Sequence, residues 1–292
     1  MIHVTAPGKL VLLGEYAVLD GAPSIVAAVD RGVCCEASPS PELTIETPGG
    51  DDRFVRAAIE ACLTTPLGHF RFLDHNPTAE PHKAGFGRSA AATVAATLAA
   101  SRLDGKTLDA INLRALAHRV HHAVQGNGSG IDVAASVYGG LTRVEGSSVR
   151  RLPPRQPVVV FSGQSAKTGP RVATYLKHSD RDAFIRDSRS LVDAFSSDPV
   201  RALHRGGERI GAMCEQAGIP YWTPALEAIV SLAHAHGGGA KPSGAGGGDC
   251  AVALFDDDDD AQQFVTACEA ADFSVIPAVI ARGACSTEND YV

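Results

Sequence analysis

Lys83-Ala84-Gly85-Phe86-Gly87-Arg88-Ser89-Ala90-Ala91-Ala92 is the stretch on which the reading of this chain turns. Its glycines let a backbone approach a ligand, and the alanine-rich run behind them predicts a helix whose first N–H groups have no partner of their own. That is an arrangement for holding an anion. Lys83 and Arg88 flank it with positive charge, and Ser89 offers a hydroxyl to a phosphate oxygen or a magnesium ion.

As a bare GxGxxA pattern the segment is also compatible with a dinucleotide-binding turn. Such a turn follows a buried strand, however, and the residues ahead of Gly85 are the polar Thr78-Ala79-Glu80-Pro81-His82. Gly105-Lys106-Thr107 imitates the end of a P-loop, but Ala100 stands where that loop needs its first glycine, so a turn with Thr107 as helix N-cap explains it better.

On either side of this segment the pattern is mixed. Ile2 to Thr5, Lys9 to Val18, Ser24 to Ala37 and Leu43 to Thr47 predict strands, with a turn at Leu19 to Pro23 between the longer two. Ser89 to Ser101 and Thr107 to Val124 predict helices, and Asp74 to Lys83 a loop. The run RRLPPRQP at Arg150 to Pro157 reads as a connector to a second lobe, giving domains 1–150 and 151–292. In that lobe Asp182 to Phe195 and Val200 to Gln216 predict helices, and Cys250 to Phe255, Ala261 to Ala271 and Phe273 to Ile280 predict strand, helix, strand. The fold class is α+β in two lobes.

Composition narrows the function. A net charge of −7 argues against a general nucleic-acid binder, since phosphate backbones demand a surplus of Lys and Arg. Seven cysteines without a CxxC pair suggest neither a disulfide framework nor a zinc site and fit a reducing cytoplasm. Cys34 and Cys35 alternate across a strand, so at least one belongs to the core. No apolar run reaches membrane-spanning length. The partners expected are therefore small molecules, without nucleic acid or membrane, for a cytoplasmic monomer or homodimer.

Two further glycine clusters stand out. Lys241-Pro242-Ser243-Gly244-Ala245-Gly246-Gly247-Gly248-Asp249 precedes the apolar Cys250 to Phe255, a costly use of glycine for an ordinary connection. A flexible loop is its plain alternative. Gly126-Asn127-Gly128-Ser129-Gly130-Ile131-Asp132 leads into a helix starting near Asp132, whose carboxylate suits either the helix dipole or catalysis. His121-His122 and His234-Ala235-His236 lack the Cys or carboxylate that would complete a metal set, and Asp256 to Asp260 reads as a solvated turn leading into a helix.

These clusters, in this order behind Ala6-Pro7-Gly8-Lys9-Leu10 and Gly14-Glu15-Tyr16-Ala17-Val18-Leu19, resemble the GHMP kinases. Within that family Lys83, the string KPSGAGGGDC ending beyond Asp249, and Gly128 to Ala135 look most like the phosphomevalonate kinases. The spacing from Gly126 to Asp132 is that of mevalonate kinases, which stay as the alternative. The resemblance implies an N-terminal lobe like the second domain of a small-subunit ribosomal protein and a ferredoxin-like C-terminal α/β lobe. It implies ATP as phosphoryl donor and mevalonate 5-phosphate, or mevalonate, as acceptor in the route to isoprenoids.

The resemblance also implies roles. Lys9 and Asp132 would be catalytic. Lys83, Gly85, Gly87, Arg88, Ser89 and Ala90 would hold the ATP phosphates, with Ser89 touching Mg2+. Lys9, Glu15, Ser129, Gly130, Lys241, Ser243, Gly244, Ala245 and Gly246 would meet the acceptor. Three positions depart from the family pattern: Phe86 replaces a leucine and Arg88 a serine of the loop, and His121 stands where mevalonate kinases often carry a magnesium-binding glutamate. A silent relative acting as a small-molecule sensor is the non-enzyme alternative, against which stands the retention of Lys9 and Asp132.

Overall fold

The computed structural model describes residues 1–75, 85–126 and 128–286. Lys83 and most of the predicted Asp74 to Lys83 loop lie outside the described residues, as does Asn127.

The first lobe is one sheet with helices packed on a face. Its strands are β1 (Ile2–Leu13), β2 (Ser24–Ser38), β3 (Leu43–Glu46), β4 (Gly68–His75), β5 (Leu141–Glu145) and β6 (Ser148–Leu152). The helices are α1 (Arg53–Cys62), α2 (Arg88–Leu103), α3 (Ala110–Gln125) and α4 (Ile131–Tyr138). β1 and β2 pair antiparallel from Ile2↔Ala37 to Leu13↔Ile25, and β4 continues the sheet from β2. The alanines of α2 explain its central place: Ala90, Ala91, Ala95, Ala96, Ala99 and Ala100 are all fully buried, small enough for sheet and neighbouring helices to close on it from several sides.

The second lobe holds β7 (Val158–Phe161), α5 (Thr168–Lys177), α6 (Asp182–Ala194), α7 (Pro199–Gln216), α8 (Pro224–Ala235), β8 (Gly239–Pro242), β9 (Cys250–Leu254), α9 (Asp258–Ala270) and β10 (Ser274–Ile276). Its sheet runs β10-β7-β9-β8 with antiparallel neighbours. The chain then returns: Ile280 bridges Val29, and β11 (Cys285–Ser286) pairs with β1. We keep 1–150 and 151–292 as a proposed division, although β6 runs across it and β11 sits in the first sheet. The lobes share a core in which Leu10, Leu12, Ile25 and Phe86 pack with Phe161, Leu203, Val252 and Leu254.

Several elements differ from their sequence prediction. The strand expected over Lys9 to Val18 stops at Leu13; the chain turns through Tyr16 at φ 61° into a short 3-10 helix, Ala17–Asp20. The strand expected to reach Ile280 ends at Ile276, because Pro277 has no N–H for the ladder. The N-cap of α3 is Asp109, which accepts from Asn112 N at 2.7 Å; the Thr107 hydroxyl instead accepts from Arg102 Nη1 at 2.9 Å. α9 begins inside the acidic run, capped by Asp257, so three aspartates complement its dipole. Cys35 is buried and Cys34 partly so, and none of the seven cysteines forms a disulfide. Among the described residues no helix is long and apolar enough to cross a membrane.

Candidate active site

The Gly85 to Ser89 turn is pinned between β1 and the start of α2. Lys9 holds it twice, its backbone N donating to Phe86 O at 2.9 Å and its Nζ to Gly85 O at 3.1 Å. Phe86 turns its ring into the shared core, which anchors the turn from below. Gly85 and Gly87 adopt φ of 75° and 69°, a region that side chains disfavour.

Proximity adds to that requirement. A Cβ on Gly85 would fall 2.8 Å from Asp249 Oδ2, and one on Gly87 would fall 3.0 Å from Lys9 Cγ and 3.6 Å from Asp132 Cβ. Lys9, Asp132 and Asp249, from three distant parts of the sequence, thus converge on one turn. The N–H groups of Arg88 and Ser89 open α2 and have no acceptor within it, whereas the N–H of Ala90 already donates to Gly87 O at 3.1 Å. Ala90 itself is fully buried and its N–H is already engaged, so of the residues expected at the phosphates it offers no free donor.

Asp132 lies in the first turn of α4, where its Oδ1 accepts from Val133 N at 3.2 Å. Gly130 caps that helix against the His118 ring, and Ser129 is partly exposed beside it. Ser89 Oγ lies 3.1 Å from His121 Nε2, and the His121 ring stacks on Phe54 with centroids 5.0 Å apart. Burial holds His121 below the usual histidine range, opposed by the Asp132 charge. The Arg88 guanidinium forms an ion pair with Asp74 at the end of β4.

The predicted acceptor residues of the third cluster are arranged differently from a set of exposed contacts. Lys241 Nζ donates to Glu15 Oε1 and, at 2.7 Å, to Pro242 O, and both side chains are buried. Gly244 N donates to the same Glu15 oxygen at 3.2 Å. Val11 N donates to Ser243 Oγ at 3.0 Å, which returns a bond to Val11 O at 3.2 Å, and Tyr16 Oη donates to Ala245 O at 2.7 Å. Gly246 lies against the Tyr221 ring. Residues 241–246 are therefore stitched to the end of β1 across the lobes. Burial pulls the Lys241 pKa down, resisted by Glu15.

Sequence reasoning did not assign Asp249 a role in the site, yet it is central to it. Its Oδ1 accepts from Ala166 N at 3.1 Å, its backbone N donates to Gln164 O at 2.8 Å, and Ser162 N donates to its carbonyl at 2.9 Å. It sits at φ 56°. Burial raises its pKa, while the Ala166 N–H and the Lys9 and Arg171 charges lower it. The signal was its place directly after three glycines. Arg171, on α5, carried no signal; only the fold brings it here.

Magnesium can be tested against these donors. Hard oxygens are present in Ser89, Asp132 and Asp249, but Ser89 Oγ is engaged by His121, and among the described residues no group of three or more His, Cys, Asp or Glu side chains is placed to hold a metal ion. An all-protein cage is thus not built. The donors fit an ion that brings most of its ligands as phosphate and water oxygens.

Known proteins resemble this chain along most of its length. Residues 58–140 match the GHMP kinases N terminal domain and residues 199–273 match the GHMP kinases C terminal domain. The chain is 28% identical to a phosphomevalonate kinase of Streptomyces sp. (strain CL190), over 82% of this chain and 86% of that one. It is 30% identical to a mevalonate kinase of Pyrococcus horikoshii, over 84% and 86% of the two chains. The structure of the Streptococcus pneumoniae phosphomevalonate kinase in complex with phosphomevalonate and AMPPNP has the same fold, at a TM-score of 0.83 and 20% identity, covering 96% of this chain and 100% of that one. Matched by both domain models and 30% identical over 84% of its length to a mevalonate kinase, the chain belongs to the GHMP kinases, a family of small-molecule kinases.

Proposed function

We propose that this kinase transfers the γ-phosphoryl group of ATP to mevalonate 5-phosphate, giving mevalonate 5-diphosphate. The observation that carries the reading is Asp249, set against Gly85 by the glycine-rich loop and under the influence of Lys9. It is the residue by which the KPSGAGGGDC string resembles phosphomevalonate kinases. The chain's coverage of the Streptomyces phosphomevalonate kinase supports it.

The residues divide the work. The N–H groups of Arg88 and Ser89, at the positive end of α2, receive phosphate oxygens. Lys9 spends one ammonium hydrogen on Gly85 O and keeps two for the transferring group. Mg2+, when bound, neutralises phosphate charge, with Ser89 as its contact. The acceptor phosphate, whose second pKa is about 6, is largely ionised at neutral pH. Asp132 then orients the acceptor and Lys9 rather than taking a proton. Glu15, Lys241, Ser243 and Ala245 fix the loop from behind, leaving the backbone of Gly244 to Gly248 to face the acceptor. Lys83 keeps its proposed role at the phosphates, and Arg88 reaches them only by leaving Asp74.

Mevalonate is the second reading, favoured by the identity to the Pyrococcus enzyme and by Asp132, whose described bond uses one oxygen and leaves the other for a hydroxyl proton. We place the protein in the cytoplasm as a monomer or homodimer that uses neither nucleic acid nor membrane, supported by its net charge of −7. Incubating it with ATP, Mg2+ and each of mevalonate, mevalonate 5-phosphate, homoserine and a panel of sugars, with products read by phosphorus NMR, tests the choice. A diphosphate formed only with mevalonate 5-phosphate is expected; turnover of mevalonate alone replaces the first reading by the second.

A further inference from the structure

Arg171 is held in a strict pose in front of the triple glycine. A Cβ on Gly247 would fall 2.0 Å from its Nη2, so the guanidinium rests on that backbone, and only glycine permits it. Nη1 donates to Lys167 O at 2.8 Å and Nε to Pro220 O at 3.3 Å. Nη2 has no hydrogen-bond partner among the described residues. Arg171 is partly exposed, and with Lys167 and Thr174 it lines a recess of about 230 Å³ whose other walls are Pro170, Ile219 and Pro220.

Its position relative to the reacting centre matters most. Asp249 feels Lys9 and Arg171 as its two attractive charges, and Gly247 and Asp249 are two residues apart on one loop. Lys9 stands at the phosphate turn, where the acceptor's reacting oxygen must arrive. A second cation near the same aspartate, on the other lobe, suits a group at the far end of a short acceptor. Both acceptors under consideration are six-carbon acids, a five-carbon chain with one methyl branch, whose carboxylate is at the end opposite the reacting oxygen. A guanidinium with its stem fixed and an N–H to spare matches a carboxylate, and a rigid fork orients it as well as attracting it.

We propose that Arg171 binds the carboxylate of the acceptor, fixing which end of the molecule faces the phosphate turn. This rests on the reading that the acceptor is one of these two acids, and it holds for either. Lys167, exposed beside it, adds charge but no fixed geometry.

The test compares the preferred acceptor with its primary amide, in wild type and in R171M, with R171K as a second variant that keeps charge and loses the fork. Wild type is expected to favour the carboxylate by about tenfold or more in kcat/KM, the scale of one charge-assisted bond. In R171M the acceptor KM should rise by about as much, the preference over the amide should vanish, and the KM for ATP should stay within about twofold. R171K should fall between. A structural role alone would lower activity on both acceptors equally and leave the preference intact, and that result in either variant overturns the proposal. A wild type that phosphorylates neither acid overturns the functional reading and the proposal together, which distinguishes the two failures.

Discussion

Glu15 and Lys241, 226 residues apart in sequence, bury their charges against one another where the end of the first strand meets the glycine-rich loop of the second lobe. The pair is in place of an exposed substrate contact, and around it Glu15 Oε2 and the Tyr221 hydroxyl are buried without a hydrogen-bond partner among the described residues. A buried charge deprived of its partner is far worse than no charge at all.

Lys241→Met alone should therefore destabilise the protein by about 3–5 kcal/mol, whereas Glu15→Leu combined with Lys241→Met should recover most of that loss. Urea unfolding of the three proteins checks it. Equal stability of the single and double variants would show that the ion pair is not what holds the seam.

Gly87→Ala places a methyl 3.0 Å from Lys9 Cγ at a φ of 69°. The strain, about 1–2 kcal/mol, is small against the fold but falls on the phosphate turn. Loss of most of kcat with a melting temperature lowered by only a few degrees is the expected outcome, from kinetics and calorimetry on the same sample. A fully active variant would remove this turn from the site.

Asp132→Asn separates the two acceptors. With a hydroxyl acceptor, loss of a general base should cost about 10²–10⁴-fold in kcat. With mevalonate 5-phosphate, already ionised, the loss should be clearly smaller. Equal losses on both would argue that Asp132 acts in the same way toward each.

His121 is held below its ordinary pKa of 6.5 chiefly by burial. The unfolded chain therefore binds a proton at this position that the folded protein refuses, so stability should rise with pH below about 6.5 and level off above it. His121→Gln should flatten that slope by one proton's share, His118 and His234 retaining theirs. Unfolding free energies measured from pH 5 to 8 decide it; an unchanged slope would place His121 among the freely titrating histidines.

What could be read in the sequence was what depends on neighbours in the chain. The turn at Gly85 and the helix behind it announce themselves because glycine and alanine differ so sharply in backbone freedom, and β2 because its apolar run is long. Lys9 and Asp132 were found through their motifs and do meet at Gly87. Lys241 read as an acceptor contact, since nothing within the string KPSGAGGGDC says that a carboxylate 226 residues earlier will neutralise it. Asp249 stood in plain view, but its function depends on contacts with Ala166, Gly85 and Lys9 that only the packing of one lobe on the other creates. Arg171 belongs to a helix beginning Thr168-Gly169-Pro170, a start that reads as a turn. The strand that ends at Ile276 was overrun because apolar character continues past Pro277, the residue that stops the ladder.

The pairing of Val4 with Ser286 has a consequence for biosynthesis. The β1 edge that Ser286 pairs with stays open until β11 has been made, and the sheet around the phosphate turn is complete only then. A nascent chain therefore carries an unpaired strand edge through the synthesis of the second lobe, an opening for edge-to-edge pairing that closes only when β11 returns.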